Sequence, residues 1–371
     1  MLRRNGRCRP AQGLPITSVP WTMHPVTHAS PPDPHVAAAW NLLPETIRPL
    51  GTGLINKTFL ARERTGTLRV LQQLNPMFPP EVNADIDAVT THLAARGLLT
   101  PRLVPDRDGR LWLPTDAGAW RVMTHIPGRV LDAVGNAAQA GSAGRLLATF
   151  HRTLDDLVHE FRHVRPPVHE PARHLADLAS ALAAHPRHPL QGAAAMLADE
   201  IFAAADALPK LPDTPLRVVH GDPKISNLVF AADGDRALCM LDLDTLGRMA
   251  LPFELGDALR SWCNVAAEDD PRGSFSASLF AAAIAGYGAA AGDWLRPEEA
   301  ASVVTATATI QVELAARFCA DILNENYFGW NPALFPGRAE HNLARARGQL
   351  NVHRSLLAQR ARLDDLVAAM Q

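Results

Sequence analysis

The polar side chains best placed to do chemistry fall within residues 217–247, in a loop and at the end of the strand that follows it. Asp222 precedes Asn227 by five positions, and Asp242 ends an aliphatic run. A carboxylate can orient and deprotonate an acceptor hydroxyl, while an amide oxygen and a second carboxylate can hold Mg²⁺ against nucleotide phosphates. This arrangement predicts phosphoryl transfer, with Asp222 as the base and Asn227 and Asp242 as the metal ligands.

Lys224 is the charged side chain of this loop that we expect to act on the transferred group. Its ammonium could offset the negative charge that develops on the phosphoryl oxygens. Asp244 could assist the metal or orient Asp242. A polar turn between buried strands would use the same residue types, because Asp and Asn are common turn formers. The combined pattern, His-Gly-Asp-x4-Asn and then a strand ending in Asp, favours catalysis because it follows the order of kinase catalytic and metal loops.

Two short strands must position this loop, and the rest of the chain surrounds them. Residues 216–219 and 237–241 are aliphatic or β-branched, with a turn signal at Asp233-Gly234-Asp235. Upstream, strand patterns and one amphipathic helix over residues 80–96 predict a small sheet covered by a helix. Ala- and Leu-rich helical periodicity dominates after residue 130. We predict an α+β fold in two lobes, an N-lobe antiparallel sheet plus helix and a mostly helical C-lobe.

These patterns divide the chain into three segments. Residues 1–34 are rich in Arg, Pro, Thr and His without periodicity, which predicts a disordered leader. Residues 36–127 are expected to form the N-lobe, with the nucleotide-binding sheet. Residues 128–371 are expected to form the helical C-lobe, with the catalytic loop, the metal loop and the acceptor site.

Composition argues against several kinds of partner. The 371 residues carry a formal net charge of −2, which gives no electrostatic basis for binding nucleic acid or an anionic membrane. No apolar run reaches the ~18 residues that span a bilayer, and the basic start lacks the apolar segment of a secretory signal. The four cysteines share no metal-ligand spacing, so we expect reduced thiols in a cytoplasmic protein. The oligomeric state stays open.

The motifs HGDPKISN and LDLDT, built on the residues above, resemble the aminoglycoside phosphotransferase and choline kinase superfamily. The motifs GTGLINKT, LQQLN and HNLARARGQL are similar to the N-acetylhexosamine 1-kinase branch of that superfamily. The resemblance covers most of the chain after residue 45. It implies a bilobal protein-kinase-like fold and an ATP-dependent kinase that uses Mg²⁺ and phosphorylates the anomeric hydroxyl of an N-acetylhexosamine.

The GTGLINKT motif is the candidate loop over the nucleotide phosphates. Gly51 and Gly53 would let the backbone approach a phosphate, and Asn56 and Thr58 could add side-chain donors. An ordinary hairpin turn would use glycine in the same way. The position of the motif, ahead of every other candidate residue, supports the phosphate loop.

Two further parts of the nucleotide site follow from the kinase-like fold. Protein kinases hold the α- and β-phosphates with a strand lysine, but residues 67–74 contain none. Gln72 is the candidate replacement, with Arg69 and Gln73 as alternatives. Adenine would bind to backbone groups around Met123 and His125 at the hinge between the lobes.

The acceptor site is expected within residues 317–349. The resemblance implies that an Arg and a downstream Tyr contribute to a sugar pocket, and we place these roles on Arg317 and Tyr327. Acidic residues at 268–270 and 320–326 keep an aminoglycoside, choline or another small alcohol open as the acceptor. The missing strand lysine keeps open a non-catalytic pseudokinase that serves as a binding module.

Overall fold

The chain forms two lobes, one built on a sheet and the other mainly of helices, which meet around the predicted catalytic loop. The computed structural model describes residues 32–51, 56–116, 118–163 and 168–369. Gly53 and most of the predicted leader lie outside these ranges. Helix α1 (Pro34–Ala39) is capped by the side chain of Asp33, which accepts a hydrogen bond from the His35 N–H group. Helical structure therefore begins at the end of the range that the sequence assigned to the leader.

A five-stranded antiparallel sheet forms the N-lobe, in the order β1-β2-β3-β5-β4. Its strands are β1 (Arg48–Pro49), β2 (Lys57–Arg62), β3 (Leu68–Gln73), β4 (Leu113–Thr115) and β5 (Gly118–Thr124). Side chains alternate between the two faces of the sheet, so Trp120 and Val122 pack with α1 while Ala119 and Met123 belong to the opposite core. The register places Gln72 of β3 opposite Arg121 of β5.

Helix α2 (Val82–Ala95) covers that opposite face and confirms the predicted amphipathic helix. Val82, Ile86, Val89 and Leu93 are each at most 2% exposed, which follows from their helical spacing. The first-turn acid Asp85 is buried too. Its carboxylate accepts hydrogen bonds from a histidine ring and two backbone N–H groups of the segment at 159–163. It therefore ties the N-lobe helix to the C-lobe, in addition to any effect on the helix dipole.

The C-lobe carries two small sheets and most of the helices. Its strands are β6 (Arg129–Val130), β7 (Leu216–Val219), β8 (Leu228–Phe230), β9 (Ala237–Met240) and β10 (Gly247–Ala250), with β6-β8-β9 in one sheet and β10-β7 in the other. Its helices are α3 (Ala137–Thr153), α4 (Pro171–Ala184), α5 (Gln191–Asp206), α6 (Leu251–Trp262), α7 (Ala277–Ala291), α8 (Pro297–Ala301), α9 (Val303–Asn324), α10 (Arg338–Leu357) and α11 (Arg360–Ala368).

Close helix packing builds the C-lobe core. Helices α3 and α7 approach so closely that a Cβ atom on Gly144 would lie 2.1 Å from the Ala283 carbonyl oxygen. Helix α9 runs through the lobe and, within the described ranges, is the one helix long and apolar enough to cross a membrane. Since 89% of its apolar window is buried inside the protein, α9 has the surroundings of a core helix.

Candidate active site

The catalytic loop begins where β7 ends, and a buried carboxylate holds its backbone. Glu254, in the first turn of α6, accepts hydrogen bonds from the backbone N–H groups of His220 (2.9 Å) and Gly221 (3.0 Å). The His220 ring lies against the strand that leads to the metal loop, with Nε2 2.7 Å from the Leu241 carbonyl oxygen. These contacts fix the backbone immediately before Asp222.

Gly221 allows the catalytic loop and the metal loop to touch. Its φ of +84° lies in the region that favours glycine, and a Cβ atom there would be 2.3 Å from the Thr245 carbonyl oxygen. The Thr245 hydroxyl donates to the His220 carbonyl oxygen at 2.8 Å. The His-Gly-Asp order of the motif therefore has a steric reason as well as a chemical one.

Asp222, the predicted base, is ionised and held by two neighbours. Lys224 Nζ lies 2.7 Å and Asn227 Nδ2 lies 3.1 Å from its Oδ2. Burial favours the neutral acid, but the charge and hydrogen bond of Lys224, together with the charges of His220 and Arg260, outweigh burial and lower the pKa of Asp222 to about 2. The side chain is 22% exposed, so an acceptor hydroxyl can reach the carboxylate. The ammonium that we expected to act on the phosphoryl group is thus paired with the predicted base.

The two predicted metal ligands lie beside Asp222. The Leu241 N–H group donates to the Asn227 carbonyl oxygen at 2.7 Å, which sets Asn227 next to the end of β9. The next residue, Asp242, has a left-handed backbone with φ 58° and ψ 59°. Asn227 Nδ2 faces Asp222, and Oδ1, on the other side of the amide group, is therefore directed away from Asp222. Asn227 is bonded to Asp222, and Asp242 lies near enough to Asp222 and Lys224 for their charges to shift its pKa.

The charge around Asp242 fits a divalent cation. Burial and the neighbouring charge of Asp244 raise the pKa of Asp242, against the opposing charge of Lys224. A carboxylate and an amide oxygen are both ligands that a hard cation such as Mg²⁺ prefers, and the half-buried Asp242 and the buried Asn227 carry one of each. Across the described ranges, no group of three or more His, Cys, Asp or Glu residues could hold a metal ion. A cation here would therefore complete its coordination with phosphate oxygens or water.

Three side chains predicted to bind the nucleotide have protein partners in this structure. Gln72 Nε2 donates to Thr58 Oγ1 at 3.1 Å, and Asn56 Nδ2 donates to Asp244 Oδ2 at 2.6 Å. These contacts tie the phosphate loop to the sheet and to the metal loop, and nucleotide binding by Asn56, Thr58 and Gln72 stays a prediction. Gly51 is exposed with φ +75° and keeps the open backbone that its predicted role requires.

Arg121, on the strand next to β3, is a functional candidate that the sequence patterns did not single out. It is 1% exposed and forms a two-pronged ion pair with Asp244, Nη1 to Oδ1 at 2.6 Å and Nη2 to Oδ2 at 2.9 Å. It also donates to Gln72 Oε1 (2.9 Å) and to Asn83 Oδ1 (3.1 Å) on α2. The signal for it is a single charged residue inside an apolar strand, Ala-Trp-Arg-Val-Met.

The predicted hinge lies at the end of β5. Met123 is 7% exposed and is paired in the sheet with Val70, so packing accounts for its side chain. His125 follows the last residue of β5 and is half-buried at the start of the connection to the C-lobe. The contact of adenine with backbone groups around Met123 and His125 stays a prediction.

The two predicted acceptor residues are in contact with each other. Arg317 Nη2 donates to the Tyr327 hydroxyl at 3.3 Å, and the guanidinium lies 5.6 Å from the centre of the Tyr327 ring. Asp321 is 3% exposed and accepts hydrogen bonds from three successive backbone N–H groups, those of residues 326–328. Asp321 therefore shapes the loop that presents Tyr327, and the acidic run at 320–326 is only partly available to an acceptor.

A bilobal α+β fold, with an Asp-x4-Asn loop and a following Asp at the junction of the lobes, defines the class of kinase-like phosphotransferases. The chain belongs to the phosphotransferase enzyme family, whose model matches residues 46–300. The predicted fold and the predicted class of enzyme, a phosphotransferase, are confirmed.

One relative matches part of the chain, and two solved structures share its fold. A homoserine kinase from Methylobacterium radiotolerans is 30% identical over 214 residues, which are 57% of this chain and 60% of that protein. The structure of an amicoumacin kinase in complex with AMP-PNP, Ca²⁺ and Ami has a TM-score of 0.60 at 16% identity and covers 85% of this chain and 91% of its own. A microcompartment-associated aminopropanol kinase has a TM-score of 0.59 at 16% identity, covering 88% and 96%. The narrower N-acetylhexosamine assignment is not confirmed by these matches.

Proposed function

We propose that this protein is an ATP-dependent small-molecule kinase that transfers the γ-phosphoryl group to an acceptor hydroxyl. The observation that carries the proposal is the ionised Asp222 carboxylate, bonded to Asn227 and close to Asp242 where the lobes meet. Family membership supports the same reaction class. No covalent enzyme intermediate is required, because the Asp222 loop can align an acceptor for direct in-line transfer.

Asp222 orients the acceptor hydroxyl and takes its proton as the new O–P bond forms and the bond between the γ-phosphorus and the β,γ-bridging oxygen of ATP breaks, which releases ADP. A pKa of about 2 makes this carboxylate a weak base, so its main contribution is orientation until the hydroxyl becomes acidic late in the transfer. Asn227 Oδ1 and the Asp242 carboxylate are the proposed ligands of Mg²⁺, which would neutralise charge on the phosphate oxygens when bound. Lys224, 2.7 Å from Asp222, supplies a positive charge beside the path of the phosphoryl group.

The proposed acceptor is an N-acetylhexosamine, phosphorylated on its anomeric hydroxyl. The contact between Arg317 and Tyr327 supports a sugar, because a guanidinium can grip hydroxyl and amide oxygens while an aromatic ring faces the sugar plane. Tyr327 is 52% exposed, so its ring is accessible. The three sequence motifs shared with the N-acetylhexosamine 1-kinase branch point to the same acceptor.

A small amino alcohol such as homoserine is the second candidate. Its support is the 30% identity to a homoserine kinase, together with a buried carboxylate one helical turn before Arg317. Glu313 is 1% exposed and lies 3.4 Å from His169 and 3.3 Å from His174. A carboxylate and a guanidinium on one helix face could match the ammonium and carboxylate of an amino acid.

A coupled assay of ADP release tests the proposal. Purified protein with ATP and MgCl₂ is offered N-acetylglucosamine, N-acetylgalactosamine, homoserine, choline and kanamycin in parallel. We expect acceptor-dependent turnover with an N-acetylhexosamine, and turnover with homoserine alone would select the second candidate. Nucleotide binding without turnover on any acceptor would instead favour the pseudokinase, and no nucleotide binding at all would contradict the proposal.

Variants of the acceptor residues sharpen this assay. Arg317→Met and Tyr327→Phe should raise the KM for the acceptor and leave the KM for ATP within about twofold, since uniform binding energy is lost only on the acceptor side. Arg360→Met, which removes a guanidinium bonded to Asp364 and Thr305, is the matched control and should leave both values unchanged.

A further inference from the structure

The N-lobe lacks the lysine that a protein kinase uses to organise its nucleotide site. Strand β3 contains no lysine, and Lys57 of β2 is the only lysine between residues 36 and 127. Its side chain is exposed. Arg69, a candidate replacement from the sequence, pairs with Glu63 through Nε to Oε1 at 2.7 Å, in the hairpin end of the sheet. Neither cation takes the place of the missing lysine.

Arg121 is a buried cation on the neighbouring strand β5. It lies opposite Gln72, the β3 residue that we expected to replace the lysine, and four hydrogen bonds engage its guanidinium. Those bonds reach β3, helix α2 through Asn83, and the metal loop through both oxygens of Asp244. The guanidinium is only 1% exposed, so its charge is committed to the protein.

Asp244 links three separate parts of the site. It is 1% exposed and lies two residues after Asp242 in the metal loop. Its Oδ2 accepts from Arg121 (2.9 Å) and from Asn56 (2.6 Å), which lies in the phosphate loop. Asn56 Oδ1 in turn accepts from the Asn75 N–H group at 2.9 Å. One buried carboxylate therefore sets the spacing between the sheet, the phosphate loop and the metal loop.

We propose that Arg121, acting through Asp244, is the positioning residue that replaces the strand lysine and sets Asp242 and the phosphate loop for a metal–nucleotide complex. The inference rests on the proposed function. Arg121 acts indirectly, because its donors are directed to protein acceptors. Groups that orient metal ligands commonly change metal affinity when removed, so the pair should control nucleotide affinity in the presence of Mg²⁺.

Calorimetric titration with the β,γ-imido analogue of ATP and MgCl₂ tests this inference without relying on turnover. Arg121→Met alone leaves Asp244 buried and unpaired, which destabilises the fold. The double variant Arg121→Met/Asp244→Asn removes both charges, and Arg121→Lys keeps the charge but loses the two-pronged geometry. Arg69→Met is the matched control, since it removes a guanidinium–carboxylate pair from the same sheet. Circular dichroism establishes that each variant is folded.

We expect the double variant to bind the analogue about 10- to 100-fold more weakly than wild type and to need more Mg²⁺ for half-maximal binding. The affinity of Arg121→Lys for the analogue should lie between those of wild type and the double variant, and the affinity of Arg69→Met should match wild type. Wild-type affinity and Mg²⁺ dependence in the folded double variant would overturn the inference. Failure of the wild-type protein to bind the analogue would instead contradict the proposed function, so the two failures are distinguishable.

Discussion

Replacing Glu254 with glutamine should weaken both the fold and catalysis. Glu254 is fully buried and accepts from two consecutive backbone N–H groups, those of His220 and Gly221. Burial favours the neutral acid, but hydrogen bonding and charge from His151 lower the pKa of Glu254, so the carboxylate is ionised. Glutamine has one acceptor oxygen and one NH₂ donor, so one of the two buried N–H groups would face a donor.

The expected loss follows from that missing acceptor. A hydrogen bond to a charged group contributes about 1.5–3 kcal/mol, and an unsatisfied buried donor costs about 1–3 kcal/mol. These are two descriptions of the same lost bond, so we expect the free energy of unfolding to fall by about 1–3 kcal/mol. Because the freed backbone carries Asp222, kcat should fall by about 10- to 100-fold in the protein that stays folded.

Urea unfolding followed by circular dichroism and steady-state kinetics on the same preparation measure the two effects. Glu299→Gln is the matched control, because Glu299 is also fully buried but accepts from the Arg217 side chain and the Arg296 N–H group. It should destabilise the protein while changing kcat by less than about threefold. If Glu254→Gln left kcat within twofold and the free energy of unfolding within about 0.5 kcal/mol, the argument that Glu254 holds the catalytic loop would be refuted.

Three further predictions concern packing, protonation and the acceptor loop. Gly144→Ala should lower the free energy of unfolding by about 1–3 kcal/mol, because its Cβ would lie 2.1 Å from the Ala283 carbonyl oxygen. Gly192→Ala in α5 should raise the free energy of unfolding by about 0.5–1 kcal/mol, because its Cβ meets no atom within 4 Å. Urea unfolding measures both variants. Burial lowers the pKa of His353 from 6.5 to about 4. Between these pH values the unfolded chain binds more protons than the folded protein, so the free energy of unfolding falls as the pH decreases, by up to about 3 kcal/mol. His353→Gln should lose that part of the pH dependence, measured by urea unfolding at pH 7 and pH 4.5. Tyr327→Phe removes one 3.3 Å hydrogen bond at a half-exposed ring. The free energy of unfolding, measured by thermal unfolding, should therefore change by less than about 0.5 kcal/mol even where the KM for the acceptor rises.

Short-range patterns carried most of what the sequence could predict. Asp222, Asn227 and Asp242 lie within 21 positions of one another, and the two short strands between them connect the catalytic loop to the metal loop. The spacing of Ile86, Val89 and their neighbours likewise fixed the buried face of α2, because helical periodicity is a local property.

Long-range partners were beyond the sequence patterns. Arg121 and Asp244 are 123 positions apart, and nothing local to either residue indicates the other. Asn56 is a second example. Its position in the phosphate loop suggested a ligand contact, but its partner Asp244 is 188 positions away in the sequence. His169 lies in the connection before α4 and yet is only 6% exposed, with Nδ1 3.4 Å from Glu313 of helix α9. Buried polar groups pair with whatever the fold brings near, and spacing along the chain does not report that.

Asp222→Asn tests the central claim most directly. The variant keeps the shape of the side chain and removes the negative charge that orients and deprotonates the acceptor hydroxyl. The account predicts that kcat falls by about 10²- to 10⁴-fold, while calorimetric affinity for the ATP analogue with Mg²⁺ stays within about threefold of wild type. Turnover near the wild-type rate, with nucleotide affinity unchanged, would contradict it.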